Sequence, residues 1–289
     1  MSSDTLRLAA LKASYADAVR RRRRAWVGLA FWLSLLILVT SWVGEVNVHM
    51  LWTNAWRLPE FLGRTLPTLT LDNLGPDMAE WFWGIGRWTR LLGETLLIAY
   101  SGTVLGAAGA FLLCFLAASN LMKSNSLVFA AKRIMEVCRT VPELVFALTF
   151  VIAFGLGPLP GVLALVIHTV GALGKLFAEV VENMDLGPVD GVCATGASTP
   201  QVIRHAVVPQ VLPLFASYTL LRFEVNVRGA AIMGFVGAGG IGQELLEAVR
   251  KFYYTDISAI VLLIALTVMS IDLVGERIRH AMFDVRVVK

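Results

Sequence analysis

Long apolar tracts separated by short charge-bearing stretches run through most of the chain. Six of them, at about residues 25–43, 91–118, 141–156, 161–180, 211–227 and 257–274, are long and apolar enough to predict membrane-spanning helices. Inside hydrocarbon the backbone finds no water, so each tract must close its own hydrogen bonds, and an all-α polytopic bundle follows. The stretch 44–90 is too polar to span, yet it carries Trp52, Trp56, Phe61, Trp81, Phe82, Trp83 and Trp88. Aromatic rings favour the headgroup level, so this stretch predicts short helices along the outer interface, broken at Pro59, Pro67 and Pro76.

Composition points the same way. Hydrophobic residues make up 57% of the chain, charged residues 16%, and the mean hydropathy is +0.70, well above the usage of a soluble domain. The net charge of +4 is modest, and the basic residues cluster at the ends of apolar tracts. They read as orientation signals, not as a nucleic-acid face. The arginines at 20–24 precede a first tract too long for the apolar core of a signal peptide, and no small-x-small cleavage site follows it. An uncleaved first span starting in the cytoplasm is expected. The residues before it predict either a short helix on the inner leaflet, its arginines near lipid phosphates, or a solvated tail.

With the N-terminus inside, the connections 119–140 and 181–210 and the C-terminal tail become cytoplasmic. They hold Lys123, Lys132, Arg133, Arg139, Arg204, Arg277, Arg279, Arg286 and Lys289, against Arg57, Arg64, Arg87, Arg90, Arg228, Arg250 and Lys251 outside. The positive-inside rule thus favours this orientation without forcing it. The expected organisation is a basic N-terminal segment at 1–24, the first span with its outer interfacial segment at 25–90, and a transmembrane core at 91–289. Cys114, Cys138 and Cys193 are far apart, without metal-ligand spacing, and read as packing residues.

The stretch between the fourth and fifth tracts, VENMDLGPVDGVCATGASTPQVIRHAVVPQVLP, is too polar to span. Val192, Ala194, Val202, Ile203, Ala206 and Val207 nevertheless recur at helical intervals on either side of Gly196, which predicts two short helices hinged at that glycine. Ser198 or Thr199 is placed to cap the second helix and Pro200 suits its first turn. This stretch resembles the EAA loop of ABC importer permeases, E-A-A, three residues, G, nine residues, I-x-L-P. Asp190, Gly191 and Val192 stand for the first three positions, Gly196 for the glycine, Ala206 and Val208 for the apolar pair, and Pro209 for the proline. The resemblance implies that residues 182–209 couple the chain to an ATPase, with Val202 and Ile203 supplying apolar contact.

Further stretches, RTVPELVFALTFVIAFGLGPLPGVLAL, HTVGALGKLFAEVVE, YTLLRFEVNVRGA and GFVGAGGIGQEL, resemble permeases of phosphonate importers, the group that also handles phosphite and related phosphorus oxyanions. They imply a type I importer permease fold in a bacterial inner membrane, with both termini cytoplasmic. The implied partners are a second permease protomer, two cytoplasmic ATPases that use ATP and Mg, a periplasmic or lipid-anchored binding protein, and membrane lipid. The chain itself would bind no cofactor.

Several residues invite a chemical reading. Gly237, Gly239, Gly240 and Gly242 satisfy G-x-G-x-x-G, but a dinucleotide site needs a strand before them and a βαβ unit around them. A glycine-rich turn beside the translocation path, packed closely between protomers and with amides available to an anion, fits better, with plain packing the commoner role of glycines in a bundle. Arg222, Glu224, Asn226 and Arg228 in the fifth tract are costly against lipid. Glu224 and Arg228 are spaced for a local i,i+4 ion pair that anchors the helix end. Arg222 or Arg228 equally suits a phosphonate oxyanion, which guanidinium matches bidentately. His168 and Lys175 share a face of the fourth tract, where a histidine serves either cross-helix bonding or transport, and Lys175 reaches Glu179. Glu143 after Pro142 suits a helix N-terminus. No P-loop and no hydrolase signature occurs, so ATP hydrolysis is expected elsewhere and an intramembrane enzyme is disfavoured. The competing readings are an importer permease for another solute, such as methionine or an osmolyte, and an ion-coupled secondary transporter.

Overall fold

The computed structural model describes residues 3–44, 48–68, 72–122 and 124–287, so Lys123 and Lys289 lie outside the described residues. The chain forms two compact units, Met1–Gly63 and Arg64–Lys289. In the first, helix α1 (Ser3–Val43) is continuous, and its part Asp17–Val43 is long and apolar enough to cross a membrane. Residues 3–27 contain no glycine or proline, so nothing separates an inner-leaflet helix from the span, and the two are one element. Two short helices follow, α2 (Val48–Asn54) and α3 (Arg57–Thr65), with Pro59 in the first turn of α3, where its missing N–H is not needed.

The second unit begins with α4 (Leu74–Trp81) and α5 (Ile85–Ala117). Next come α6 (Asn125–Thr140) and α7 (Glu143–Phe154), bent by 84° at their junction. The third expected tract is therefore not a straight span. Val141 precedes a proline and takes an extended conformation, φ −76° and ψ 125°, which ends α6, and Pro142 then opens α7. At 12 residues, α7 is about 18 Å long, against the roughly 30 Å of a bilayer core. The remaining helices are α8 (Pro158–Glu182), α9 (Gly187–Ala194), α10 (Thr199–Val202), α11 (Val208–Met233), α12 (Ile241–Arg250) and α13 (Tyr254–Val287). Among the described residues there is no strand, as the apolar pattern predicts.

The small helix α4 and the turn after it pack on the start of α13. Trp81 Nε1 donates to Ser258 Oγ at 3.0 Å and Trp83 Nε1 to Asp256 Oδ1 at 3.0 Å, while Trp88 is buried in a cluster with Leu92, Ile241 and Ile260. These three tryptophans, expected at the lipid headgroups, thus tie α4 and the start of α5 to the rest of the second unit.

The bundle is built around α5 and α8. A Cβ on Gly102 would lie 2.5 Å from Leu165 Cβ, and one on Gly106 2.6 Å from Thr169 Cβ. Lipid tails are as apolar as leucine, so helix association here relies on close van der Waals packing, which small residues permit. At the end of the bundle that carries α9, Phe177 stacks on Phe215 with ring centroids 3.9 Å apart, inside a cluster that includes Phe115, Met135 and Val207.

Candidate functional site

Two regions carry the residues singled out above. In the first, Asp185 Oδ1 accepts from the Gly187 amide at 3.0 Å, and α9 starts there with Pro188 in its first turn. The chain leaves α9 through Gly196 at φ +79°, in the left-handed region, so the expected hinge is present. The Ser198 amide and hydroxyl both donate to Gln201 Oε1, at 2.8 and 2.9 Å, closing the turn that opens α10. The second short helix does not stop at the segment's end. Residues Ile203–Val207 widen into a π-helical turn and run on into α11. Pro209 lacks the N–H that a regular helix would require there, and a π turn absorbs such a mismatch.

Burial divides this segment into an anchor and an exposed face. Val189, Val202 and Ala206 are buried in the cluster with Phe177 and Phe215, and Val192, Ile203 and Val208 are half-buried against it. Asp190, Gly191, Cys193, Gly196, Arg204, His205 and Pro209 are exposed. Val202, expected to contact a partner, instead holds the segment to its own bundle. Asp190 lies in the first turn of α9, where its side chain makes no hydrogen bond or ion pair among the described residues, and Asp185 is the acid that accepts from the helix's first amide. Of the cysteines, Cys114 is buried, Cys138 half-buried and Cys193 exposed.

The second region is polar and lies within the bundle. The α6–α7 break puts Glu143, at the start of α7, beside His168 of α8 and Arg222 of α11. Glu143 Oε2 lies 3.3 Å from His168 Nδ1 and 3.9 Å from Arg222 Nη2. Arg222 Nη2 donates to His168 Nδ1. Room for the carboxylate comes from α11, where a Cβ on Gly229 would stand 2.8 Å from Glu143 Oε1. Arg222 Nε is buried with no hydrogen-bond partner among the described residues. One turn on, Asn226 is buried and its Nδ2 donates to Thr103 Oγ1 at 2.8 Å and Thr169 Oγ1 at 3.0 Å, joining α5, α8 and α11.

The other charges of α11 are used between helices. Glu224 and Arg228 do not pair with each other. Glu224 Oε1 pairs with Arg279, in a space left by Gly275, and Arg228 Nη2 donates to both oxygens of Asp272, at 2.9 and 2.8 Å. Both partners lie on α13, a neighbour that spacing within α11 cannot register. Lys175 does reach Glu179, at 3.5 Å. Gly237, Gly239 and Gly240 all have φ near +80°, at +85°, +85° and +78°. Their turn packs within the chain: the Gly240 amide donates to Glu94 Oε1 at 3.2 Å and the Ile241 amide to Thr95 Oγ1 at 2.9 Å. Two amides of the turn, those of Gly240 and Ile241, are thus taken by the chain's own carboxylate and hydroxyl, and that of Gly237 by the Gly234 carbonyl. Glu94, Thr103, Thr169 and Asp272 were not singled out from sequence, and Arg279 only as one of the basic residues expected on the cytoplasmic side; an isolated acid such as Asp272 in a strongly apolar tract is the kind of signal that marks such a partner.

Residues 110–287 match the family described as binding-protein-dependent transport system inner membrane component. The chain is similar to the phosphite transport system permease protein of Stutzerimonas stutzeri, 38% identical over 255 residues that cover 85% of this chain and 88% of that one. It is 34% identical to a putative phosphite transport system permease of the same organism, over 93% of this chain and 90% of that one. A putative cryptic phosphonate transport system permease protein of Escherichia coli is 50% identical over 117 residues, 40% of this chain and 96% of that one. Among solved structures, an inward-facing MetNI methionine ABC transporter chain superimposes with a TM-score of 0.58 at 21% identity, over 69% of this chain and 96% of that one; this is a likeness of fold.

Proposed function

Because the chain belongs to the family of binding-protein-dependent transport system inner membrane components, we propose that the solute it passes is a phosphonate, phosphite or related phosphorus oxyanion. The observation that carries this reading is Arg222, a guanidinium held inside the bundle with one buried N–H unpartnered. A planar fork of donors suits phosphoryl oxygens, and a charge kept away from water at a cost is most often kept for use. The near full-length relatives named for phosphite transport support the same class of solute.

In this reading the chain works with a second permease protomer, a pair of ATPase subunits that bind ATP and Mg, and a substrate-binding protein. The α9 end faces the cytoplasm, with both termini, and the exposed face of residues 182–209 docks in an ATPase groove. Val189, Val202 and Ala206 hold that face rigidly to α8 and α11, as a coupling element must be held. Arg228, tied to Asp272 in an exposed pair, serves as a helix clamp and not as the solute contact.

The test is uptake of radiolabelled phosphite and a phosphonate by cells carrying the complete importer. Arg222→Gln is expected to lower uptake at least about tenfold, the equivalent of one charge-assisted hydrogen bond, with assembly and ATP binding retained. Unchanged uptake by an assembled Arg222→Gln complex overturns the role of Arg222. A binding protein whose melting temperature responds to methionine and to no phosphorus oxyanion overturns the solute class.

A further inference from the structure

Resting on that reading of Arg222, we infer that Glu143 is the resident counter-anion of the solute site, holding the place beside Arg222 that the incoming oxyanion takes and leaving it during transport. The charged and titratable groups at this point come from three helices: Glu143 from α7, His168 from α8 and Arg222 from α11. Helix α5 adds only the Thr103 hydroxyl behind Asn226. Arg222 donates to His168 Nδ1, so that nitrogen carries a lone pair and the imidazole is neutral. One guanidinium and one carboxylate then cancel. An oxyanion approaching this cluster meets no net charge until Glu143 withdraws.

The geometry fits an exchangeable partner and not a fixed one. Where this chain fastens two helices, at Arg228 and Asp272, both carboxylate oxygens lie within 2.9 Å of the guanidinium. Glu143 stands 3.9 Å from Arg222 Nη2, beyond hydrogen-bond reach, and 3.3 Å from His168 Nδ1, a nitrogen that accepts from Arg222 and so has no proton to give the carboxylate. Arg222 Nε meanwhile has no partner, so the guanidinium retains donors that Glu143 does not satisfy. The carboxylate sits at the α6–α7 break, on the first residue of a short helix, with a glycine of α11 opposite it. A change in the angle of that break would move the carboxylate relative to Arg222.

The experiment measures equilibrium retention of radiolabelled phosphite by the purified permease–ATPase complex in nanodiscs, without the binding protein. Removing the competing charge in Glu143→Gln is expected to raise phosphite affinity about tenfold, roughly the effect of one charge at partly buried range, while net uptake by the full importer falls because the solute is released slowly. Arg222→Gln, alone or with Glu143→Gln, is expected to retain none. Glu143→Asp, which keeps the charge but draws it back by one methylene, is expected to raise affinity about threefold, and decides the matter if the Gln variant does not assemble. Wild-type affinity in Glu143→Gln and Glu143→Asp, with retention lost in Arg222→Gln, overturns the inference and leaves the reading of Arg222 standing. Wild-type retention and uptake in Arg222→Gln overturns that reading itself. Phosphite retained by none of the proteins, Glu143→Gln included, also overturns the inference.

Discussion

The segment at 182–209 and the cluster around Arg222 are built on opposite terms. The segment has little chemistry: its exposed face offers two acids, two basic side chains and glycines, and its shape comes from a positive-φ residue, a turn closed by Ser198 and Gln201, and a π turn before Pro209. The cluster is rich in chemistry and is shaped by other helices. Its three ionisable groups reach each other only because α6 ends at Val141 and α7 starts afresh. A transporter needs both kinds, one surface that a partner can push and one interior that a solute can exchange with.

The sharpest way to separate them is at Gly196. No atom lies within 4 Å of a Cβ built there, so space is not at issue and only the backbone conformation is. Gly196→Val places a β-branched residue at φ +79°, costing roughly 1–3 kcal/mol, and uptake is expected to be lost while the protein still inserts. Gly196→Asn, which tolerates that conformation, is expected to keep at least about half of wild-type uptake. Normal transport in the valine variant, or equal loss in both, would separate the hinge from coupling. In the interior, Asn226→Leu removes two buried hydrogen bonds and is expected to cost about 1–3 kcal/mol, read as a lower melting temperature of the detergent-solubilised complex. Weakest of all is Asp272→Asn, since the Arg228 and Asp272 side chains are 50% and 40% exposed. It is expected to cost less than about 1 kcal/mol and to leave uptake above half. A larger loss there would bring Arg228 back among the solute contacts.

The same contrast explains what the sequence disclosed. The segment was legible because its information lies along the chain: the spacing from Asp190 to Gly196 to Pro209 is one-dimensional, and a glycine at a turn announces its own backbone need. The spans were legible from hydropathy for the same reason. The break in the third tract was less so, although Val141-Pro142 is a local signal that an apolar run masks. Interior pairings were not legible. Glu224 and Arg228 satisfy the i,i+4 rule, yet each finds a partner on α13, whose register against α11 depends on Gly275 and on packing along the whole helix. Glu143 looked like a helix cap because its neighbours in sequence say nothing about His168 and Arg222.

Cys193 gives the segment a built-in reporter. Its thiol is exposed between Asp190 and Gly196, while Cys114 is buried and Cys138 half-buried inside the bundle. A maleimide dye applied to the native chain in mild detergent will therefore mark this position first, with no engineered cysteine. Fluorescence anisotropy of that one label then follows ATPase docking, cycle by cycle, in the unaltered protein.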